Sequence, residues 1–580
     1  MDLFVRADGR SAFAEIAVTP EPTWIGQVGI ALDGRIDNLA DVRRALGAGA
    51  AESVHATLIE GFRVWDVDLM RRLAGEYAFV IHDRRERRLI AARDPFGVRP
   101  LFYKSADRTL LLSSRLDRLV EKSEPLDDRR IIEYLIKRHD AVGRTFFSNV
   151  QEVPAGGFLV ATQDRLTVST YWQPEADSQP PAKSRAEFES RFRHLFVQAV
   201  ARRLDPGRPV VIQVSGGLDS SAIACAADVI RRSSPGKAVE LIGAAAVYPG
   251  LPCDESEYVD EVANHVGYPV VRWDDTSPEL EDLFNPHPHE PGIRNLFRGG
   301  SAGDLRIAHD SGAEVLLSGA GGDHLGIVEG YVADLIKARR WRAAFRELVH
   351  FPGATTRTRV MRIRRVLGQS VPPRLSAYLG GLRPSTTPAW LTRYGREIAA
   401  SVGVSNQSLP RNLSNLQMSV WRRLAAPELV RNVSMMNLAA AARGCEYRFP
   451  YLDKDLILCA MGAPLDYWPR PGPFARLHRG PLAEILPAAV ATRFGKAEFT
   501  PAVARKVQVA CAQALSAFGD HWASERYIDP DAARQRCRAA LTLPPTTPDR
   551  HWLEVWAILT FEAWLRGREG LVSTRPQQRS

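Results

Sequence analysis

Cysteine is sparse in this 580-residue chain: six residues, Cys225, Cys253, Cys445, Cys459, Cys511 and Cys537, stand far apart and form no CxxC pair. The spacing excludes a disulfide framework and a thiolate zinc site, and leaves buried free thiols as the expectation. Long apolar runs are missing as well. Nothing approaches the ~18 consecutive apolar residues of a membrane span, and the opening MDLFVRADGR lacks the apolar core of a secretory signal. A cytoplasmic protein with no membrane span is expected. Also absent are the zinc-finger, RNP and KH patterns of nucleic-acid binders. The excess of 76 Lys and Arg over 67 Asp and Glu, a net charge of +9, is densest in RTRVMRIRRVLGQ (357–369). That stretch reads as a solvated helix face or a docking surface for an acidic partner, with no nucleic acid implied.

What is present divides the chain near residue 175. Before it, strand-like runs such as GQVGIALDG, EYAFVIHD, RLIAARD and TLLLSS alternate with turn signals, which predicts a β-rich domain over 1–175. A polar, proline-bearing linker, QPEADSQPPAKS, follows. Over 176–580 the apolar runs PVVIQVS, VELIGAAAVY, PVVRW and AEVLLSG are separated by helix-length amphipathic segments. That order predicts an α/β domain with a doubly wound parallel sheet. The last third, rich in Leu, Ala and Arg with Trp interspersed, reads as helical.

The stretch VVIQVSGGLDSSAIACAADVI (209–229) runs from a buried strand through a glycine turn into a helix. Ser215, Gly216 and Gly217 let backbone approach a ligand closely, and their N–H groups with the helix start favour an anion such as phosphate. It is not a Walker loop, since the lysine and four-residue spacer are missing. Asp219 would repel phosphate unless a cation lay between, so Mg²⁺ is implied. A tight strand-to-helix connection explains the glycines alone equally well.

The full string SGGLDSS resembles the pyrophosphate-binding loop of the asparagine synthetase family. Further stretches match in order: CDESEYVDEVANHVG (253–267), LLSGAGGDHLG (316–326), MMNLAAAARGCEYRFPYLD (435–453) and ATRFGKAEFTP (491–501). LAGEYAFVIHDRRERRLIAARDPFGVRPLFY (73–103) has the cadence of the family's N-terminal glutaminase domain. The resemblance implies a degenerate N-terminal-nucleophile domain followed by an ATP-pyrophosphatase synthetase domain. It also implies activation of a carboxylate by ATP with release of pyrophosphate, then attack by an amine.

On this resemblance, Val214, Ser215, Gly216, Gly217, Asp219, Ser220, Ser221, Ser318 and Gly319 fall on nucleotide positions, and Asp219 and Asp323 on the Mg²⁺-holding ones. Glu446 matches the glutamate that positions or deprotonates the amine, and Lys496 the lysine that stabilises negative charge on the intermediates. Without the resemblance, Asp323 reads as a turn residue, Glu446 as a salt-bridge partner of Arg443 or Arg448, and Lys496 as surface.

The departures matter too. Glutaminase members carry a cysteine directly after the initiator Met, where this chain has Asp2; Asp33 replaces the asparagine of NGExYN, and Ala74 the aspartate of LDGxFAF. The first domain is therefore expected to be a remnant unable to release ammonia. β-Lactam synthetases share this loss but place a tyrosine where Ala320 stands, whereas lasso peptide cyclases keep small residues there. Ala320, Gly321 and Gly322 are expected to leave room for a peptide, which favours a lasso peptide cyclase. Such an enzyme implies a core peptide substrate and, as partners, a leader peptidase and a leader-binding protein. A β-lactam-type synthetase, an ammonia-dependent asparagine synthetase paralogue and a non-catalytic scaffold are the alternatives. His287, His289 and Glu290, set among prolines, read as a polar loop in preference to a metal site.

Overall fold

Apolar residues fall on both faces of the strand formed by GEYAFVIHD, and each face packs against a different layer. The computed structural model describes residues 3–8, 16–47, 53–106, 109–138, 142–174, 182–233, 239–276, 291, 302–326, 331–349, 387–402, 410, 412–465, 467, 477–493, 495 and 497–569. In its first part lie β1 (Phe4–Asp8), β2 (Ile16–Thr19), β3 (Thr23–Ile25), β4 (Val28–Ile36), β5 (Gly75–Asp83), β6 (Arg88–Arg93), β7 (Phe102–Ala106), β8 (Thr109–Ser113), β9 (Val150–Glu152), β10 (Gly157–Ala161) and β11 (Leu166–Thr170). They form two antiparallel sheets, in the orders β2-β1-β8-β7-β9 and β11-β10-β6-β5-β4-β3.

Ala78 and Val80 of β5, with Ala31 and Ala91, meet Val5, Ala7, Leu110 and Leu112 of the other sheet in one core. The alternate residues Tyr77, Phe79 and Ile81 point the opposite way and share a core with Leu58, Ile59 and Phe62 of the helix Val54–Trp65. That helix starts where Ser53 accepts a hydrogen bond from the Ala56 amide at 3.1 Å. On the outer side of the smaller sheet, Phe102 and Val150 pack with Ile131, Ile132 and Leu135 of the helix Asp128–Leu135. The β-rich expectation is thus met by two sheets enclosed between helices.

The second part holds β12 (Val210–Gln213), β13 (Leu241–Val247), β14 (Val270–Asp274), β15 (Val315–Leu317) and β16 (Glu446–Arg448). Their order is β14-β13-β12-β15-β16, and every pairing is parallel. Val210 is level with Leu241 on one side and Val315 on the other, and Val315 with Glu446. The chain therefore leaves β12 in one direction through β13 and β14 and returns to its other side through β15. The turns after β12 and β15 flank the point where the order reverses, which is where open α/β sheets bind ligands. Strand β16 was not among the predicted strands: EYR is short and polar at both ends.

The helical last part is borne out in Thr500–Ala517, Pro530–Thr542 and Asp549–Glu569. Trp522, Trp552 and Trp564 are fully buried there and share a core with Ile131, Ile132 and Phe146 of the first part. The boundary expected at 175 falls outside the described residues. Among the described residues no helix is long and apolar enough to cross a membrane.

Candidate nucleotide and metal site

Strand β12 hands over to the glycine turn in stages. The Val214 amide still bonds the Ala244 carbonyl at 2.8 Å, which keeps the turn in register with the sheet. Ser220 then closes it: its hydroxyl accepts from the Ser215 amide at 3.0 Å and lies 2.9 Å from the Ser215 hydroxyl. Gly216 has φ +69°, and a Cβ there would sit 2.6 Å from Cβ of Tyr258 and 3.2 Å from the Glu255 carbonyl oxygen. Only glycine meets both demands without strain. The Ser221 amide bonds the Gly217 carbonyl at 3.2 Å as the helix Leu218–Ser233 begins. The Ser221 hydroxyl is buried with no partner among the described residues.

The turn after β15 arrives against this one. Ser318 is tied to β16 through its amide and the Arg448 carbonyl at 3.1 Å, and its hydroxyl accepts from the Ala320 amide at 3.3 Å. Gly319 packs against the Ser220 backbone. A Cβ on Gly322 would lie 2.6 Å from Cγ and 2.8 Å from Oδ2 of Asp219. The short helix Gly322–Gly326 carries Asp323 in its first turn, directly after that contact. The structure thus brings Ser215, Gly216, Gly217, Asp219, Ser220, Ser318 and Gly319 together with the turn that bears Asp323.

The smallness of Ala320, Gly321 and Gly322 permits close packing. Ala320 is buried, Gly321 packs on Leu452, and Gly322 packs on Asp219. These residues bring two loops into contact.

Three further segments close on the turns. Tyr451 donates its hydroxyl to the Asp219 carbonyl at 3.1 Å, and His478 Nε2 lies 2.6 Å from Asp219 Oδ1. Arg493 pairs with Glu255, donates to the Gly216 carbonyl at 3.3 Å, and lies over the Tyr258 ring at 4.0 Å. The Ala497 amide also bonds Glu255, at 3.3 Å. The residues flanking Lys496 are therefore anchored beside the glycine turn, while Lys496 itself lies outside the described residues, as do 357–369 and the His287, His289 and Glu290 loop. Among the described residues no group of three or more His, Cys, Asp and Glu gathers as a metal cluster. Two carboxylates on converging loops are a hard-oxygen donor set that suits Mg²⁺.

Glu446 occupies a different place. It opens β16, level with Val315 and Val210, at the opposite end of the strands from the two turns. Arg99 of the first part pairs with its carboxylate, and Arg448 Nε donates to Oε1 at 2.6 Å. Burial pushes the carboxyl up, but the facing Arg99 and Arg448 guanidiniums prevail and hold it at about 2. The salt-bridge expectation holds for Arg448 and not for Arg443. Both oxygens of its carboxylate are thus engaged by guanidiniums, Oε2 by Arg99 and Oε1 by Arg448.

The chain just beyond this strand is stapled to the first part as well. Arg203 donates to Glu76 Oε1 at 3.0 Å and to Asp453 Oδ2 at 3.2 Å, and the Phe449 amide bonds Glu76 Oε1 at 3.1 Å. Asp33 lies 3.6 Å from Arg99. Arg99, Glu255, His478 and Arg493 were not singled out in the sequence. Glu255 and Arg493 stand inside matched stretches, whereas nothing local marks His478.

The model of the family described as asparagine synthase matches residues 191–566, and that of the glutamine amidotransferase domain matches residues 15–172. The amidase chyE of Penicillium rubens is 27% identical over 324 residues, which cover 52% of this chain and 46% of that protein. Asparagine synthetase [glutamine-hydrolyzing] 3 of Bacillus subtilis is 29% identical over 202 residues, or 33% of each chain. The matched stretch spans less than half the length of these curated relatives. Among solved structures, an allosteric regulatory enzyme of purine biosynthesis aligns with 54% of this chain and 83% of its own at 14% identity and a TM-score of 0.22, too slight a likeness to bear on the site.

Proposed function

The chain belongs to the asparagine synthase family, and on that premise we propose that it is an ATP-dependent amide-forming ligase, a lasso peptide cyclase whose substrate supplies its own amine. It activates an internal Asp or Glu side chain of a leaderless core peptide as an adenylate with loss of pyrophosphate. The peptide's N-terminal amine then displaces AMP and closes an isopeptide macrolactam. The observation that carries the ligase reading is the contact of Gly322 with the Asp219 carboxylate, because it sets the Asp323 turn against the glycine turn at the reversal point of the sheet.

Asp219 and Asp323 would hold Mg²⁺, which when bound offsets the charge of the phosphates. Ser215, Gly216 and Gly217 offer backbone to the phosphates, and Tyr451 fixes the backbone of Asp219. Arg493 and Glu255 anchor the segment from which Lys496 supplies positive charge. On the family resemblance Glu446 is the residue assigned to the amine, and to meet one its carboxylate must exchange the Arg99 or Arg448 guanidinium that engages it in this structure.

Support for a substrate-borne amine comes from the first part of the chain. On the resemblance, Asp33 and Ala74 replace residues the family uses for glutamine. Arg99 and Arg203 fill the junction of the two parts with ion pairs. A β-lactam-type synthetase acting on a small molecule is the second reading, favoured by the close packing of Ala320 to Gly322. A core peptide, a leader peptidase and a leader-binding protein are the proposed partners.

The test is mass spectrometry of Mg-ATP reactions, with AMP and pyrophosphate quantified, on the leaderless peptide encoded nearest the gene and, in parallel, on aspartate with ammonia. Loss of one water from the peptide, dependent on its N-terminal amine and abolished by Asp219→Ala, is expected. An intact peptide alongside new asparagine would overturn the cyclase reading and keep the ligase.

A further inference from the structure

We propose that His478 is a positioning residue for Asp219: it holds Oδ1 and leaves Oδ2 as the oxygen turned to the cation. This rests on the reading of Asp219 as a metal ligand. His478 is completely buried, whereas the Asp219 side chain is 19% exposed. Their contact, Nε2 to Oδ1 at 2.6 Å, therefore joins an interior imidazole to a carboxylate that reaches solvent. A carboxylate only accepts, so Nε2 is the donor. The other ring nitrogen, Nδ1, is buried and has no partner among the described residues. Among the described residues the bond to Asp219 is the polar contact that the ring makes.

The remaining oxygen points the right way. A Cβ on Gly322 would meet Oδ2 at 2.8 Å, so Oδ2 faces the turn that continues into Asp323. The chain beside His478 braces that turn as well: the Leu477 amide bonds the carbonyl of Gly326 at 3.0 Å, at the end of the helix that carries Asp323. Two successive residues thus reach both candidate metal-bearing elements, one through a side chain and one through backbone. Tyr451 completes the support. Its ring packs against His478 at 5.5 Å between centroids, and its hydroxyl holds the Asp219 carbonyl. With its backbone and one oxygen fixed, Asp219 is confined to one orientation before any cation arrives. Outer partners that orient a ligand in this way typically change metal affinity by about 10–100-fold when lost.

The experiment is calorimetric binding of ATP to the full chain across a Mg²⁺ titration, with thermal melts of the same samples. His478→Leu removes the donor and keeps the bulk, while His478→Gln extends an amide N–H to about the position of Nε2. Expected is an apparent Mg²⁺ affinity about 10–100-fold weaker for His478→Leu and within a few-fold of wild type for His478→Gln. A purely structural histidine would lower the melting temperature in both variants and leave the Mg²⁺ dependence unmoved. If His478→Leu does not fold, His478→Asn, whose amide is too short to reach Oδ1, is expected to show the same weakening. Wild-type Mg²⁺ affinity in either donor-deficient variant overturns the proposal. Wild-type protein that binds no ATP with Mg²⁺ overturns the metal-site reading itself, and the two failures are distinct.

Discussion

Arg99, just beyond β6 in the first part of the chain, is ion-paired with Glu446 at the start of β16 in the second, across 347 residues of sequence. The pair gives the first part a hold on a residue of the synthetase domain whether or not it handles glutamine. Arg99→Met is therefore expected to lower the rate of amide formation and leave Mg-ATP binding unchanged, as measured by product formation and calorimetry.

The same pair sets a pH dependence. The Glu446 carboxyl is held at about 2 against an ordinary 4.5. A carboxyl depressed in the folded state adds stability that is complete above its unfolded value and is lost as pH falls toward its folded one. The loss therefore spans roughly pH 5 to pH 2. Urea midpoints across the acid end of that window should fall more steeply for wild type than for Arg99→Met. Parallel slopes would show that the ion pair does not form in solution.

Arg203 and Glu76 are each 1% exposed, and Arg203 also reaches Asp453. Burial works against the charge on Glu76, but Arg35 and Arg203 hold its carboxyl below the ordinary range. Removing one member of such a network strands the others, at a cost of about 3–5 kcal/mol. Arg203→Met should lose that much in denaturant unfolding. In the double variant with Glu76→Gln, the two losses should not add, because each change removes a partner of the other.

These contacts mark where the sequence stops being legible. Strands β12, β13 and β15 are buried runs of Val, Leu, Ile and Ala, and an unbroken apolar run of that length signals a parallel strand. The string SGGLDSS carries its turn in its own residues, so the glycine turn after β12 and the place of Asp219 in it were legible. Strand β16 was not, because Glu446 and Arg448 share one face and make EYR look like a loop. Nor was the bond of His478 to Asp219, 259 residues apart, since a lone histidine within RLHRGPL has no local reason to be there. The packing use of Ala320 to Gly322 escaped for a related cause: small residues fit an open pocket and a close contact equally well.

All six cysteines are free and buried. Burial pushes the Cys225 thiol up to about 12, with Asp228 adding to it, and burial takes Cys459 to about 11. Native protein should therefore react slowly with a thiol reagent and release the full set of thiols only in denaturant. A fast-reacting native thiol would place a cysteine at an accessible site and contradict the fold.

Gly216 and Gly312 both have positive φ, +69° and +68°, but only Gly216 faces neighbours that a Cβ would strike; around Gly312 there is nothing within 4 Å. The two positions separate backbone strain from lost space. Either alanine variant costs about 1–2 kcal/mol in the left-handed region, so both should lose similar backbone stability. Gly216→Ala must in addition displace Tyr258 and the Glu255 backbone, and with them the bond of Arg493 to the turn. Calorimetric titration with Mg-ATP is expected to show binding at least about tenfold weaker for Gly216→Ala, more than 1.4 kcal/mol, and unchanged for Gly312→Ala. Equal binding in the two variants would mean that the turn after β12 tolerates a side chain, which a surface built for close approach to a phosphate does not.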